Sequence, residues 1–229
     1  MLLEQQIENL KIQSLLADAE MKALQMQINP HFLFNTLNAG VQLATLEGAE
    51  RTANFLHDIA KIFRYNVKSL DRKVKIKDEI DTVRAYSNLF QVRFGDIIKF
   101  DYSIDLSLLN IDVPPLIIQP LVENAVIHGI GEKESGGEVY ISLERGEMGV
   151  YISVQDNGVG MNEDTVQKIL GCHVFESEKS GHTTGIGLYN VVQRLRLFFD
   201  CEDVIAVESE PGKGTKVTLI IPFPKDMAN

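Results

Sequence analysis

The chain has 229 residues, 45% hydrophobic and 24% charged, an ordinary globular composition with room for two modest domains. Its 22 basic and 32 acidic side chains leave a formal charge of -10, which disfavours a non-specific grip on nucleic acid but allows a phosphate site built from backbone N–H groups. Two cysteines are too few for a disulfide framework, no apolar run approaches the ~20 residues of a membrane-spanning helix, and Gln and Glu interrupt the N-terminal apolar residues that a secretory signal would need.

Residues 1–28 contain no Gly or Pro, and Leu3, Ile7, Leu10, Ser14, Ala17, Met21, Leu24 and Ile28 step alternately by 4 and 3. That heptad seam predicts a coiled-coil helix pairing with a second copy, although one amphipathic helix packed within a monomer has the same pattern. A seam that begins abruptly at residue 1 also points to a longer parent chain. Asn29-Pro30 interrupts the pattern, because proline lacks the donor N–H and clashes with the preceding turn. A helix is expected over 30–46, a turn at Gly48, and a returning helix over 49–69 with Phe55, Leu56, Ile59, Ile62 and Phe63 on one face. A further helix over 77–94 ends at Gly95.

After Gly95 the period changes. Ile98, Phe100, Tyr102 and Ile104 alternate as in a strand, Pro114-Pro115 closes a connection, and an apolar helix runs to His128. Strands are expected over 138–143, 150–155, 204–208 and 216–221, with a hairpin turn at Gly146 and helices over 163–170 and 187–198. Interleaved in this way, they predict an α/β sandwich with a mixed, largely antiparallel sheet. The domain boundary falls near residue 72 or 95, and the helix between can pack on either side.

Four segments carry candidate chemistry. In Glu123-Asn124-Ala-Val-Ile-His128, Asn124 and His128 share a helix face, and the Asn amide oxygen is a neutral ligand suited to Mg²⁺ on phosphates. Asp156-Asn-Gly158-Val-Gly160 follows a strand; its carboxylate can accept from an adenine amino group, with glycines allowing close approach. Gly185-Ile-Gly187-Leu188 opens a helix whose N–H groups suit an anion, and Gly212-Lys-Gly214-Thr215 leads into the last strand. Taken singly, these are a helix end, a turn, a weak glycine motif and a hairpin.

Their order over about residues 110–222 resembles the Bergerat-type ATP-binding fold of gyrase-type ATPases, Hsp90, MutL and histidine kinases. The resemblance implies that Asp156 contacts adenine, that Asn124 holds Mg²⁺, that Gly158, Gly160, Gly185 and Gly187 shape the pocket with His128, Leu188 and Thr215, and that residues 162–184 form a lid. Within the lid, Asn162 as cap, Glu163 and Asp164 in the first turn and Gly171 at the end predict a short helix, with a mobile stretch after it. In the N-terminal half, Met26-Gln-Ile-Asn29-Pro30-His31-Phe32-Leu-Phe-Asn35 is similar to the phosphoacceptor motif of LytS-type sensor histidine kinases, as are the stretches 113–125 and 185–195. The whole then reads as α+β: a coiled coil over 1–28, a helical dimerisation and phosphotransfer region over 29–95, and an ATP-binding catalytic domain over 96–229.

By that resemblance the chain is a homodimeric kinase. It phosphorylates His31 with Mg-ATP and passes the phosphoryl group to an aspartate of a response regulator, as the cytoplasmic portion of a cell-membrane sensor anchored through an upstream segment. Neutral imidazole is nucleophilic near pH 7, and phosphoryl transfer needs chiefly positioning and charge neutralisation. Asn35, one helical turn beyond His31, orients the ring, places a water that hydrolyses phospho-His or a phospho-partner, or is a surface amide. Phe32 stands where many histidine kinases carry an acidic base; Glu123, a carboxylate beside the magnesium site, is the best replacement candidate, a structural role being its other reading. Ile127 stands where many relatives carry Lys, so that one expected phosphate contact is absent: either His128, Lys213 or Arg194 compensates, or the site binds ATP more weakly. Asn190 and Arg194 share a helix face, as a lid tie, a phosphate contact or an exposed pair. Cys172, His173, His182 and Cys201 fit no familiar zinc spacing. The rival readings are an ATP-gated clamp that needs no His31 and a pseudokinase scaffold degraded at Ile127.

Overall fold

The computed structural model describes residues 30–68, 73–131, 135–170 and 186–223. The expected coiled coil over 1–28, Gly185, the stretch after the lid helix and three of the four Cys/His positions lie outside them. The chain divides into two compact units, Met1–Ala60 and Lys61–Asn229.

In the first unit, helix α1 (Pro30–Leu46) starts on the proline, whose fixed φ suits a first helical residue. It ends at Gly48, at φ 70°, where the Gly48 N–H bonds the Thr45 carbonyl at 3.1 Å and the Ala49 N–H bonds the Ala44 carbonyl at 2.8 Å. This pair of bonds satisfies the last carbonyls and turns the chain into helix α2 (Glu50–Lys68). A Cβ on Gly40 would sit 3.0 Å from Leu56 Cδ1, so α1 and α2 pack antiparallel about the Gly48 turn, the expected hairpin.

The second unit is built on a sheet of β2 (Ile98–Ile104), β4 (Gly137–Arg145), β5 (Gly149–Asp156), β6 (Ile205–Glu210) and β7 (Gly214–Pro222), in the order β2-β4-β5-β7-β6. Only β2–β4 is parallel; the other pairings are antiparallel. On one face the register aligns Leu143 with Ile152 and Ile152 with Leu219, all buried. The other face carries Ser142, Ser153 and Thr218 in a row, with the Ser153 and Thr218 hydroxyls 2.9 Å apart. A second, small ribbon pairs β1 (Val74–Lys75) with β3 (Asp112–Val113), where Lys73 and Lys75 both bind the Asp112 carboxylate at 2.6 Å.

Helix α3 (Ile76–Phe94) begins with the Lys75 N–H bonded to the Asp78 carboxylate at 3.1 Å and ends at Gly95, at φ 59°. Its Ile76, Ile80 and Val83 join the same core as the sheet, so this helix, placed in the region 29–95 by sequence, packs with the sandwich. Helix α4 (Gln119–Asn124) runs on through Ala125–Ile130 as a π-helical segment, two residues beyond the expected end at His128. Helix α5 (Glu163–Leu170) is capped by the Asn162 side chain, whose Oδ1 accepts from the Thr165 N–H at 2.9 Å, as its sequence predicts. Helix α6 (Ile186–Phe199) buries Leu188, Val191, Val192 and Leu195, the spacing of one helical face. Among the described residues no helix is long and apolar enough to cross a membrane.

Candidate functional site

Asp156 ends β5 and is 5% exposed, and its Oδ1 accepts the Gly158 N–H at 2.8 Å. The β5–β7 register sets Thr215 directly opposite it. Gly129 lies against this carboxylate, and three more glycines pack backbone on backbone around it. A Cβ on Gly129 would fall 2.6 Å from Asp156 Cγ, one on Gly158 1.9 Å from the Gly129 carbonyl oxygen, and one on Gly214 2.0 Å from the Asp156 carbonyl oxygen. Gly160, at φ 65°, would meet the Glu210 carbonyl oxygen at 2.0 Å. Positive φ and close backbone approach together exclude any larger residue at Gly160 and Gly214.

The loop after β5 is pinned from several sides. The Val159 N–H donates to the Gly129 carbonyl at 2.9 Å, and the Gly212 N–H to the Val159 carbonyl at 2.7 Å. The Asn157 side chain accepts from the Glu138 N–H and donates to the Gly136 carbonyl, both at 2.9 Å. The Ser209 hydroxyl accepts the Met161 N–H at 2.7 Å and lies 2.9 Å from the Thr215 hydroxyl. Asp156 therefore sits in a preformed frame.

Asn124 closes α4, half-buried, and His128 lies exposed in the π-helical segment that follows. Single π-helical turns inserted in α-helices frequently mark functional sites. Glu123 accepts from the Gln119 amide at 2.8 Å and from the Tyr86 hydroxyl. Burial pushes the Tyr86 hydroxyl up from its ordinary range, and the Glu123 carboxylate adds to the shift. Gly187 and the buried Leu188 open α6, with a Cβ on Gly187 reaching only to 3.9 Å from Pro120, next to the start of α4. Thus Asp156, Gly158, Gly160 and Thr215 come together with Gly129.

His31 and Asn35 belong to the first unit. Both are exposed on α1, with Asn35 Nδ2 3.4 Å from each ring nitrogen of His31. Of the residues considered to replace the missing lysine at Ile127, Arg194 donates to the Pro115 and Leu116 carbonyls and Lys213 pairs with Glu210 at 2.7 Å. His128 is exposed beside Ile127. Sequence reading missed Gly129 and Ser209 as parts of the frame, and it gave Asn157 and Gly214 no role of their own within the motifs that contain them. Only the His128-Gly129 pair hinted at the first of these, since the others depend on strand register.

Gly129→Ala is expected to weaken adenine-nucleotide binding by more than tenfold and to lower stability by about 1–3 kcal/mol, because its methyl group overlaps a carboxylate that Gly158 holds in place. Calorimetric titration and thermal melting of the variant check both effects.

A histidine kinase family model matches residues 19–98, and a model described as histidine kinase-, DNA gyrase B- and HSP90-like ATPase matches residues 113–225. The sensor protein LytS of Bacillus anthracis is 37% identical over 209 residues, 91% of this chain and 35% of that protein. LytS of Bacillus subtilis strain 168 is 36% identical over 210 residues, with the same shares covered. The sensor histidine kinase YpdA of Escherichia coli K12 is 35% identical over 205 residues, 89% of this chain and 34% of that one. The chain thus spans about a third of the length of these curated relatives. The catalytic domain of the histidine kinase ThkA, in a nucleotide-free form, shares the fold with a TM-score of 0.51 at 22% identity, covering 66% of this chain and 96% of that one. With the phosphoacceptor-region and ATPase models in tandem and LytS proteins matched over nine-tenths of its length, the chain belongs to the sensor histidine kinases of the LytS type.

Proposed function

We propose that this chain is the ATP-dependent transmitter of a two-component sensor, which phosphorylates its own His31 and hands the phosphoryl group to an aspartate of a response regulator. The carrying observation is the buried Asp156 carboxylate at a strand end, held by the Gly158 N–H and packed so closely on Gly129 that a side chain there would overlap it. A buried charge kept in a pre-shaped hollow is the usual mark of a ligand site. The donor set fits Mg-ATP: Asp156 and Thr215 for adenine, the Asn124 amide oxygen for the metal, and the N–H groups at the start of α6, with Gly187, Leu188 and the adjoining Gly185, for phosphate. Bound Mg²⁺ supplies neutralisation of phosphate charge.

The chain's own groups do the rest. The lone pair of one His31 ring nitrogen attacks the γ-phosphorus, the bond to the ADP oxygen breaks, and ADP leaves with that electron pair. Glu123, oriented by Gln119 and Tyr86, is the candidate acceptor of the imidazole proton. Asn35 steadies the ring through its contact with both nitrogens. In this reading residues 1–28 pair in a homodimer, residues 29–95 form the phosphotransfer region, residues 96–229 bind ATP, and a membrane sensor part lies upstream, with this portion in the cytoplasm. Incubating the chain with γ-labelled ATP tests the proposal. Acid-labile, alkali-stable label on the protein supports it, free phosphate alone indicates a clamp, and no turnover indicates a scaffold.

Ile127 is 55% exposed immediately before His128. Ile127→Lys is expected to tighten Mg-ATP binding about threefold at low salt, an exposed-charge effect that fades as ionic strength rises. Titrations at two salt concentrations measure it.

A further inference from the structure

Glu79 is 1% exposed, and nothing in the site described above uses it. Its Oε1 accepts from the Leu116 N–H at 2.6 Å and from the Tyr65 hydroxyl, and its Oε2 accepts from the Ile117 and Ile118 N–H groups at 2.9 and 2.8 Å. Burial pushes the Glu79 carboxyl up from the ordinary carboxylate range, while these donors pull it back. With four donors converging on two oxygens, the site is built for the anion.

The three amides belong to the residues that lead into α4. Ile118 is the cap position of that helix and has no side chain able to accept a hydrogen bond. Glu79, reaching in from α3, accepts from the N–H of the cap residue and of the two residues before it, and supplies the negative charge that a helix start favours. From the other side, Arg194 of α6 donates to the carbonyls of Pro115 and Leu116 at 2.5 and 3.1 Å. Leu116 lies between the two clamps at φ 58°, a left-handed conformation that a leucine adopts only when its surroundings hold it there. Both helices tied to this loop carry site residues: α4 has Glu123 and Asn124, and α6 has Gly187 and Leu188. Tyr65 is the one donor to Glu79 that comes from α2, the helix that returns from the His31 helix.

We propose that Glu79 is a positioning residue that sets the start of α4, and with it Asn124 and Glu123, and that the Tyr65–Glu79 contact is how α2 acts on the nucleotide site. This rests on the kinase reading above. Tyr65→Phe removes one hydroxyl and leaves Glu79 its backbone donors. Glu79→Gln replaces one acceptor oxygen with an amide NH2, a donor that faces other donors.

The test uses the full chain, with ADP binding measured by calorimetry in Mg²⁺ and in chelator, and His31 labelling measured across ATP concentrations. Glu79→Gln is expected to lose about tenfold of the Mg²⁺-dependent affinity while ADP binding in chelator, which relies on Asp156, stays within about twofold. Tyr65→Phe is expected to keep nucleotide stoichiometry and KM while its maximal labelling rate falls about tenfold, a split that loss of folded protein does not produce. If Glu79→Gln does not fold, Tyr65→Phe decides alone. An unaltered chain that takes up no nucleotide overturns the kinase reading. An active chain whose Tyr65→Phe variant labels at the normal rate, or whose folded Glu79→Gln variant binds Mg-ADP normally, overturns the positioning role and leaves the kinase reading standing.

Discussion

Replacing His31 with Gln should reduce phosphoryl labelling of the chain to background while leaving Mg-ATP affinity within about twofold of the unaltered protein. The side chain is exposed on the first turn of α1, so its removal leaves no buried cavity, and Gln keeps a polar group within reach of the Asn35 amide. Gln matches its polarity and reach but has no ring nitrogen to form the phosphoramidate. The loss is therefore chemical and complete, not a graded loss of binding. Acid-labile label persisting at the normal level on the His31→Gln variant would falsify the acceptor assignment. Free phosphate released at an unchanged rate by both forms would instead favour the clamp, in which His31 has no part.

The second large effect is expected at Asp156. Asp156→Asn keeps the volume and the bond from the Gly158 N–H, 2.8 Å away on Oδ1. That bond claims the one oxygen that Asn retains and turns its amide nitrogen to where the adenine amino group needs an acceptor. Donor then faces donor in a buried, glycine-walled hollow. The lost charge-assisted bond corresponds to about 2–3 kcal/mol, roughly a hundredfold in ATP affinity. Adenine nucleotides should weaken together, since ATP and ADP share the base. Discrimination between adenine and guanine should weaken as well, and competition titrations with GTP measure that directly. Tight, adenine-selective binding by Asp156→Asn would place the base elsewhere.

The contrast between what the sequence reveals and what it hides follows from the range of the interactions. Alternation along Ile98, Phe100, Tyr102 and Ile104 reads as a strand because one side chain in two is turned inward, and β2 occupies those same residues. Gly48 and Asn162 announce helix ends because caps are local chemistry, and both act as expected. The ordered motif set placed Asp156, Gly158 and Thr215 in one site, and the strand register brings them together.

What stayed hidden depends on partners far away in the chain. Glu79 sits in an acidic first turn that reads as a solvated helix start, yet it is buried because amides 37 to 39 residues later fold over it. Arg194 looked like an exposed or phosphate-facing base, and it is spent on two carbonyls some 78 residues earlier. The two-residue ribbon of β1 and β3 is too short to leave a period. The widening of the helix after Asn124 has no composition signal, and the sequence pattern carried the α-helix to His128 without it.

The sheet order also bears on how the protein is made. β7 is the last of these strands in chain order, yet it lies inside the sheet between β5 and β6. On the ribosome, β4 and β5 emerge as a hairpin whose open edge must wait for β7 while the whole lid segment, α6 and β6 are synthesised. At ~5–20 residues per second that delay is on the order of seconds. Asp156 meets Thr215 only when that wait ends. The exposed edge of β5 during this interval is where a chaperone or a second nascent copy has its opportunity to bind.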